Sequence, residues 1–126
     1  MPGDKIMVIG DNQDLLKVIT DFYNYFSFST VVLKQCKDIK EIIRLSPDLL
    51  LLDLDLAMLS GPDILRSIRQ NQYLTGLPIV IITALNDINF FRNEDIQGAL
   101  QKPFDLNNLL KITMEILNSK RQRFII

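Results

Sequence analysis

One stretch near the middle of the chain constrains the fold more than any other. Residues Pro47 to Gly61 have the sequence PDLLLLDLDLAMLSG, in which four consecutive leucines end at Asp53. A short apolar run between a proline and a glycine is typical of a strand buried on both faces of a parallel sheet. The run therefore predicts a central strand over 49–53, with the Asp53 carboxylate where the strand leaves the core. In open α/β sheets, ligands bind at this carboxyl edge.

Composition limits the class of protein. The chain has 126 residues, a formal charge of -1 and 48% apolar residues, which is typical of one globular domain. The near-neutral charge predicts no direct nucleic acid binding and no membrane partner. A lone cysteine, and the lack of a membrane-length apolar run or signal-peptide core, predict a cytoplasmic protein. Because the chain has no histidine, histidine-based catalysis, histidine metal sites and a histidine phosphoryl carrier are excluded.

Strand and helix patterns alternate along the chain. The predicted strands cover 5–9, 30–33, 49–53, 77–83 and 99–101. Helical spacing predicts a first helix with Leu15, Val18, Ile19, Phe22 and Phe26 on one face, a short one over 39–43, one opening at Gly61, and a last one capped by Asp105. This alternation predicts a parallel sheet with helices on both faces. We assign 1–119 to the folded domain and 120–126 to a basic and then apolar tail.

Polar side chains follow four of these predicted strands, namely Asp11, Asp53, Thr83 and Lys102. Two carboxylates held close together repel each other unless a cation lies between them. Oxygen ligands without histidine or cysteine favour a hard ion such as Mg²⁺. A lysine and a hydroxyl at the same edge complement a phosphoryl group, and an aspartate can act as the nucleophile that accepts it.

These residues, in this order and spacing, resemble the receiver domain of two-component response regulators. The matching motifs are IMVIGDN at 6–12, the aspartate-ended strand at 47–53 with Gly61 after it, PIVIITA at 78–84 and KPF at 102–104. The resemblance covers nearly the whole chain. It implies a flavodoxin-like, doubly wound α/β fold with five parallel strands in the order 2-1-3-4-5.

The resemblance also implies roles for the site residues. Asp53 would accept a phosphoryl group from a histidine kinase or phosphotransfer protein, and Thr83 and Lys102 would bind its oxygens. Asp11, Asp53 and the backbone carbonyl of Asp55 would hold Mg²⁺. The Lys102–Pro103 peptide bond would be cis. Such a domain is not an enzyme but a phosphoacceptor that assists its own phosphorylation and dephosphorylation, and it signals to an output protein or a fused domain.

Several positions depart from the family pattern. Gly10 replaces one of two adjacent acids, which predicts weaker Mg²⁺ binding, and Ala57 replaces a proline in the next loop. Ala99 stands where the family has an aromatic switch residue. The side chain of Asp55 either aids metal binding or points to water. The asparagine-rich segment 86–93 predicts a fourth helix that is short or irregular.

Two classes of function therefore stay open. The chain is either a phosphorylatable receiver or a pseudo-receiver, which is a phosphorylation-independent protein-interaction module. The four strand-end residues favour the first class, and Gly10 and Ala99 favour the second. A flavin- or nucleotide-binding enzyme is a weaker third alternative, because no glycine-rich phosphate loop follows the first strand.

Overall fold

A parallel sheet with helices on both faces forms the fold. The computed structural model describes residues 3–34, 39–55, 61–84 and 96–122. Within them lie the strands β1 (Lys5–Ile9), β2 (Ser29–Leu33), β3 (Leu49–Asp53), β4 (Ile79–Thr83) and β5 (Gly98–Gln101). The helices there are α1 (Gln13–Tyr25), α2 (Lys40–Leu45), α3 (Gly61–Gln70) and α4 (Leu106–Gln122). All strand pairs are parallel, in the order β2-β1-β3-β4-β5, so the predicted fold class is confirmed.

The core has two layers, one on each face of the sheet. Successive side chains of a strand point to opposite faces, and the central strands are apolar at both, as β3 illustrates. Leu50 and Leu52 pack with α2 and α3 in one cluster. Leu49 and Leu51 pack with α1 and α4 in the other. A run of leucines without alternation is thus explained by burial on both sides.

The register of the sheet brings the carboxyl ends of the strands together. Asp53 pairs with Ile82 across β3 and β4, and Thr83 pairs with Gln101 across β4 and β5. The Lys102 amide then donates to the Thr83 carbonyl at 2.8 Å. Side chains that follow β3, β4 and β5 therefore share one edge of the sheet.

Local signals fix the ends of several helices. The Asn12 side chain accepts a hydrogen bond from the Leu15 amide at 3.1 Å, which caps α1. Asp105 accepts from the Asn107 amide at 2.8 Å, so the predicted cap of the last helix is confirmed. Helix α2 ends at Leu45, and the next residue, Ser46, has a left-handed φ of 49°.

The predicted face of α1 is wrong by part of a turn. Leu16, Ile19 and Tyr23 are the buried residues of this helix, whereas Val18 is 48% exposed and Phe26 is 37% exposed. The helix carries more apolar residues than its contact with the sheet can cover. Two overlapping apolar stripes were therefore available, and periodicity alone did not choose between them.

Strand β4 begins two residues later than the sequence predicted. The Leu77 amide is used in a turn, where it donates to the Leu74 carbonyl at 3.1 Å, and Pro78 has no amide hydrogen to contribute to the sheet. The first amide of β4, that of Ile79, donates instead to the Gln97 side chain at 2.7 Å.

Some expectations concern segments outside the described residues. They include the fourth helix predicted over 86–93, the loop at Ala57 and the last residues of the tail. Helix α4 extends to Gln122, beyond the predicted boundary at residue 119. Of the helices in the described ranges, none is long and apolar enough to cross a membrane.

Candidate functional site

A buried carboxylate and a lysine form the centre of the candidate site. The Nζ atom of Lys102 lies 2.9 Å from both Oδ1 and Oδ2 of Asp53. The Asp53 side chain is only 6% exposed, and that of Lys102 is 24% exposed. Burying a carboxylate costs free energy unless it is paired, and here one ammonium group contacts both of its oxygens.

The backbone that leaves β3 also supports Asp53. The Asp55 amide donates to Asp53 Oδ1 at 2.9 Å, and the Leu54 amide donates to the Ile82 carbonyl at 2.9 Å. The chain therefore turns directly after the strand and holds the Asp53 side chain at the sheet edge. The Asp53 carboxylate is therefore held in one position at this edge of the sheet.

A second carboxylate, that of Asp55, meets three donors. Its Oδ2 lies 3.1 Å from Lys102 Nζ and accepts from the Ala84 amide at 2.8 Å. Its Oδ1 accepts from the Thr83 hydroxyl at 3.2 Å. The Asp55 side chain therefore does not simply point to water, which was one of its two predicted alternatives. Its carboxylate connects the ends of β3, β4 and β5.

Two pKa values reflect this network. Burial raises the pKa of Asp55, but the hydrogen bonds from the Ala84 amide and from Lys102 outweigh it and hold the pKa below its usual value. Burial lowers the pKa of Lys102, yet its contacts with Asp53 and Asp55 leave that pKa above its usual value. Asp55 and Lys102 are therefore charged at neutral pH.

Gly10 directly follows β1 and lies near Asp53 on that side of the candidate site. A Cβ atom at this position would lie 3.4 Å from the Cβ of Asp53 and 3.4 Å from Leu16 Cδ2. Those are ordinary contact distances, so a larger residue could begin there without a backbone clash. Asp11, the residue after Gly10, is exposed.

The donor chemistry of this edge fits a hard cation. The candidate ligands are the carboxylates of Asp11 and Asp53 and the carbonyl of Asp55, which are all oxygen atoms. In the described ranges, no group of three or more aspartate, glutamate, cysteine or histidine side chains could hold a metal ion. An ion held by Asp11, Asp53 and the Asp55 carbonyl would have two carboxylates, a carbonyl and water as ligands, which suits Mg²⁺ because it retains several waters.

The structure brings together most of the residues that the sequence singled out. Asp53, Thr83 and Lys102 lie at the ends of adjacent strands, with Gly10 and then Asp11 beside them. The Lys102–Pro103 peptide bond is cis, as the resemblance implied. Sequence reasoning missed the Ala84 amide, because a backbone donor leaves no signal in residue type.

Comparison with known proteins agrees with this geometry. The family described as "Response regulator receiver domain" matches residues 6–114. The response regulator ArlR of Staphylococcus saprophyticus is 32% identical over 126 residues, covering 97% of this chain and 56% of ArlR. The chain thus spans little more than half the length of that relative.

Solved structures share the fold. The receiver domain of a putative LuxO repressor protein from Vibrio parahaemolyticus superposes with a TM-score of 0.87 at 22% identity, covering 98% of this chain and 96% of that one. The receiver domain of the sensor histidine kinase PA1611 from Pseudomonas aeruginosa, solved with magnesium in its active-site cleft, gives 0.75 at 23% identity, covering 92% and 98%. Together with the family match, the sheet order and the strand-end residues, they lead to one conclusion: the chain belongs to the response regulator receiver domains.

Proposed function

We propose that this domain accepts a phosphoryl group on Asp53 in a Mg²⁺-dependent reaction. The observation that carries the proposal is the pairing of a buried Asp53 with Lys102 through both carboxylate oxygens at 2.9 Å. A purely structural ion pair needs no further hydrogen-bond donors nearby. Here the Thr83 hydroxyl and the Ala84 amide both donate to Asp55, whose carboxylate also contacts Lys102. Together these groups form a set of donors suited to an anion with several oxygens.

The reaction would proceed by in-line displacement. An Asp53 oxygen attacks the phosphorus of a phosphohistidine or of a small phosphodonor. The new O–P bond forms as the bond from phosphorus to the donor atom breaks, and the leaving group takes that electron pair. Lys102 transfers its contacts from the Asp53 oxygens to the phosphoryl oxygens, where negative charge is then located. Attack by water on the same phosphorus would later restore the carboxylate and release inorganic phosphate.

Magnesium would neutralise charge at the same edge. Asp11, Asp53 and the Asp55 carbonyl would hold the ion, which when bound supplies electrostatic stabilisation to the transferred group. The single ammonium of Lys102 is shared between two carboxylates, so this cluster has an excess of negative charge for a cation to offset. The magnesium in the PA1611 structure supports this assignment by analogy.

Membership of the family supports a proposal for the partners. A histidine kinase or phosphotransfer protein would supply the phosphoryl group, and an output protein or a fused domain would respond. We propose that the domain acts in the cytoplasm, is not an enzyme acting on other molecules, and makes no direct contact with nucleic acid. Its relatives include a hybrid histidine kinase and DNA-binding response regulators, whereas the formal charge of this chain is only -1, which gives no general attraction to nucleic acid.

Phosphorylation can be tested with the purified chain. Incubation with acetyl phosphate and Mg²⁺ should add one phosphoryl group by intact-mass spectrometry, and chelation of the metal should prevent the addition. Asp53→Asn is the control, because it removes the nucleophile and nearly preserves the shape. If the wild type gains no mass with the metal present, the pseudo-receiver alternative replaces this proposal.

A further inference from the structure

We propose that the Asp55 carboxylate is an internal competitor for the anion site that would receive the phosphoryl group of Asp53. It occupies the three donors of that site, which are Thr83 Oγ1, the Ala84 amide and Lys102 Nζ. The inference rests on the proposed function and adds a regulatory contact to it. Phosphorylation would then require the Asp55 side chain to leave, which raises the threshold for occupying the site.

The Asp55 carboxylate contacts all three donors of the site. The three donors belong to two adjacent strand ends, β4 and β5, yet all reach a single carboxylate at 2.8 to 3.2 Å. Both Asp55 oxygens take part. A solvated surface aspartate would take its hydrogen bonds from water, whereas this carboxylate accepts from a hydroxyl, a backbone amide and an ammonium. The same three donor types are those that bind phosphoryl oxygens in proteins.

The position of Asp55 makes the competition intramolecular. The Asp55 amide donates a hydrogen bond to Asp53 Oδ1 at 2.9 Å. The competing carboxylate is therefore tethered two residues from Asp53, which would carry the phosphoryl group. Tethering gives a ligand a high effective concentration without any new contact. An anion from solution, or a phosphoryl group newly placed on Asp53, must therefore displace a carboxylate that is always present.

Displacement is feasible because Asp55 is only partly enclosed. Its side chain is 35% exposed, so the carboxylate can turn toward water and regain hydration. A phosphoryl group offers three oxygens and more negative charge than a carboxylate, which favours it once it is attached to Asp53. The two states thus differ in which anion the donors hold, and the released Asp55 side chain reports the change at the surface.

The variant Asp55→Asn separates this inference from simpler ones. Asparagine keeps the shape but loses the charge and one acceptor oxygen. In the variant, the Ala84 amide proton should shift upfield in the NMR spectrum, because it loses a charged acceptor. Asp21→Asn is the matched control, since Asp21 lies on α1, is 64% exposed and pairs with Lys17 at 3.0 Å.

The probe is beryllofluoride with Mg²⁺, titrated while the Ala84 amide signal is followed. The midpoint for Asp55→Asn should fall about tenfold below that of the wild type, as expected from the loss of one charged competitor. Asp21→Asn should match the wild type. If Asp55→Asn is poorly folded, Asp55→Ala provides the same comparison with the carboxylate removed entirely.

The outcomes distinguish the inference from the proposed function. An unchanged Ala84 signal in the free variant, or an equal or higher midpoint, overturns the inference even if acetyl phosphate labels the wild type. A lower midpoint, with neither protein labelled by acetyl phosphate, supports the inference and contradicts the proposed function. No beryllofluoride binding in any of the proteins overturns both.

Discussion

Replacing Lys102 with methionine should destabilise the domain strongly. The change keeps most of the aliphatic stem but removes an ammonium that contacts Asp53 through two oxygens and Asp55 through one. Removing one partner of a buried pair costs roughly 3–5 kcal/mol. Lys102 is 24% exposed and Asp55 is 35% exposed, so water screens part of the interaction. We therefore expect the free energy of unfolding to fall by about 2–3 kcal/mol.

Urea denaturation followed by circular dichroism measures this loss of free energy. In thermal unfolding, at about 4 °C per kcal/mol for a domain of this size, the melting temperature should drop by about 10 °C. Lys17→Met is the matched control, because Lys17 forms an exposed ion pair with Asp21 at 3.0 Å and should cost less than about 0.5 kcal/mol. Magnesium should restore part of the stability of Lys102→Met, since it can neutralise the carboxylates left behind.

Equal free energies of unfolding for Lys102→Met and Lys17→Met would contradict this expectation. Equal stability would mean that the two carboxylates are well solvated without the lysine. A changed dependence on urea concentration would instead indicate an altered native or unfolded state.

Three further predictions concern the core, the metal and pH. The Thr113 hydroxyl donates to the Leu109 carbonyl at 2.7 Å, so Tyr23 must be the donor in its 2.8 Å hydrogen bond to Thr113. In urea denaturation, Thr113→Val should lower the free energy of unfolding by about 2 kcal/mol, because it leaves the buried Tyr23 hydroxyl unpaired, and Tyr23→Phe should lower it by about 1 kcal/mol. Gly10→Asp should tighten Mg²⁺ binding in calorimetry, because its new side chain starts in ordinary contact with Asp53; weaker binding would contradict this. The lowered pKa of Asp55 predicts a stabilisation that is present above pH about 4 and lost as pH falls through the folded-state pKa, so the stabilities of the wild type and Asp55→Asn should converge in acid.

The sequence predicted the central elements because their signals depend on burial alone. Strand β3 has the predicted bounds, Leu49–Asp53, since an apolar run buried on both faces is unambiguous. Strand β5 and the capped helix α4 were also found. The burial of Tyr23 in place of Phe22 on α1 could not be predicted, because both residues are apolar and the choice depends on where the sheet lies.

The residues that meet at the candidate site could be located from the sequence, but their contacts could not. Strand-end positions identified Asp53, Thr83 and Lys102, because parallel strands place their carboxyl ends at one edge. The position of the Asp55 carboxylate depends on the Ala84 amide and on the distance between β3 and β4. Those are properties of the folded backbone, and no pattern of residue types encodes them.

The position of the phosphoryl group identifies the phosphoacceptor directly. The chain would be treated with acetyl phosphate and Mg²⁺, reduced with borohydride and analysed by peptide mass spectrometry. Reduction converts an aspartyl phosphate to homoserine, so we expect homoserine at position 53 and an unmodified residue at position 55. Modification at another aspartate, or none at all with the metal in excess, would contradict the assignment of Asp53 as the phosphoacceptor.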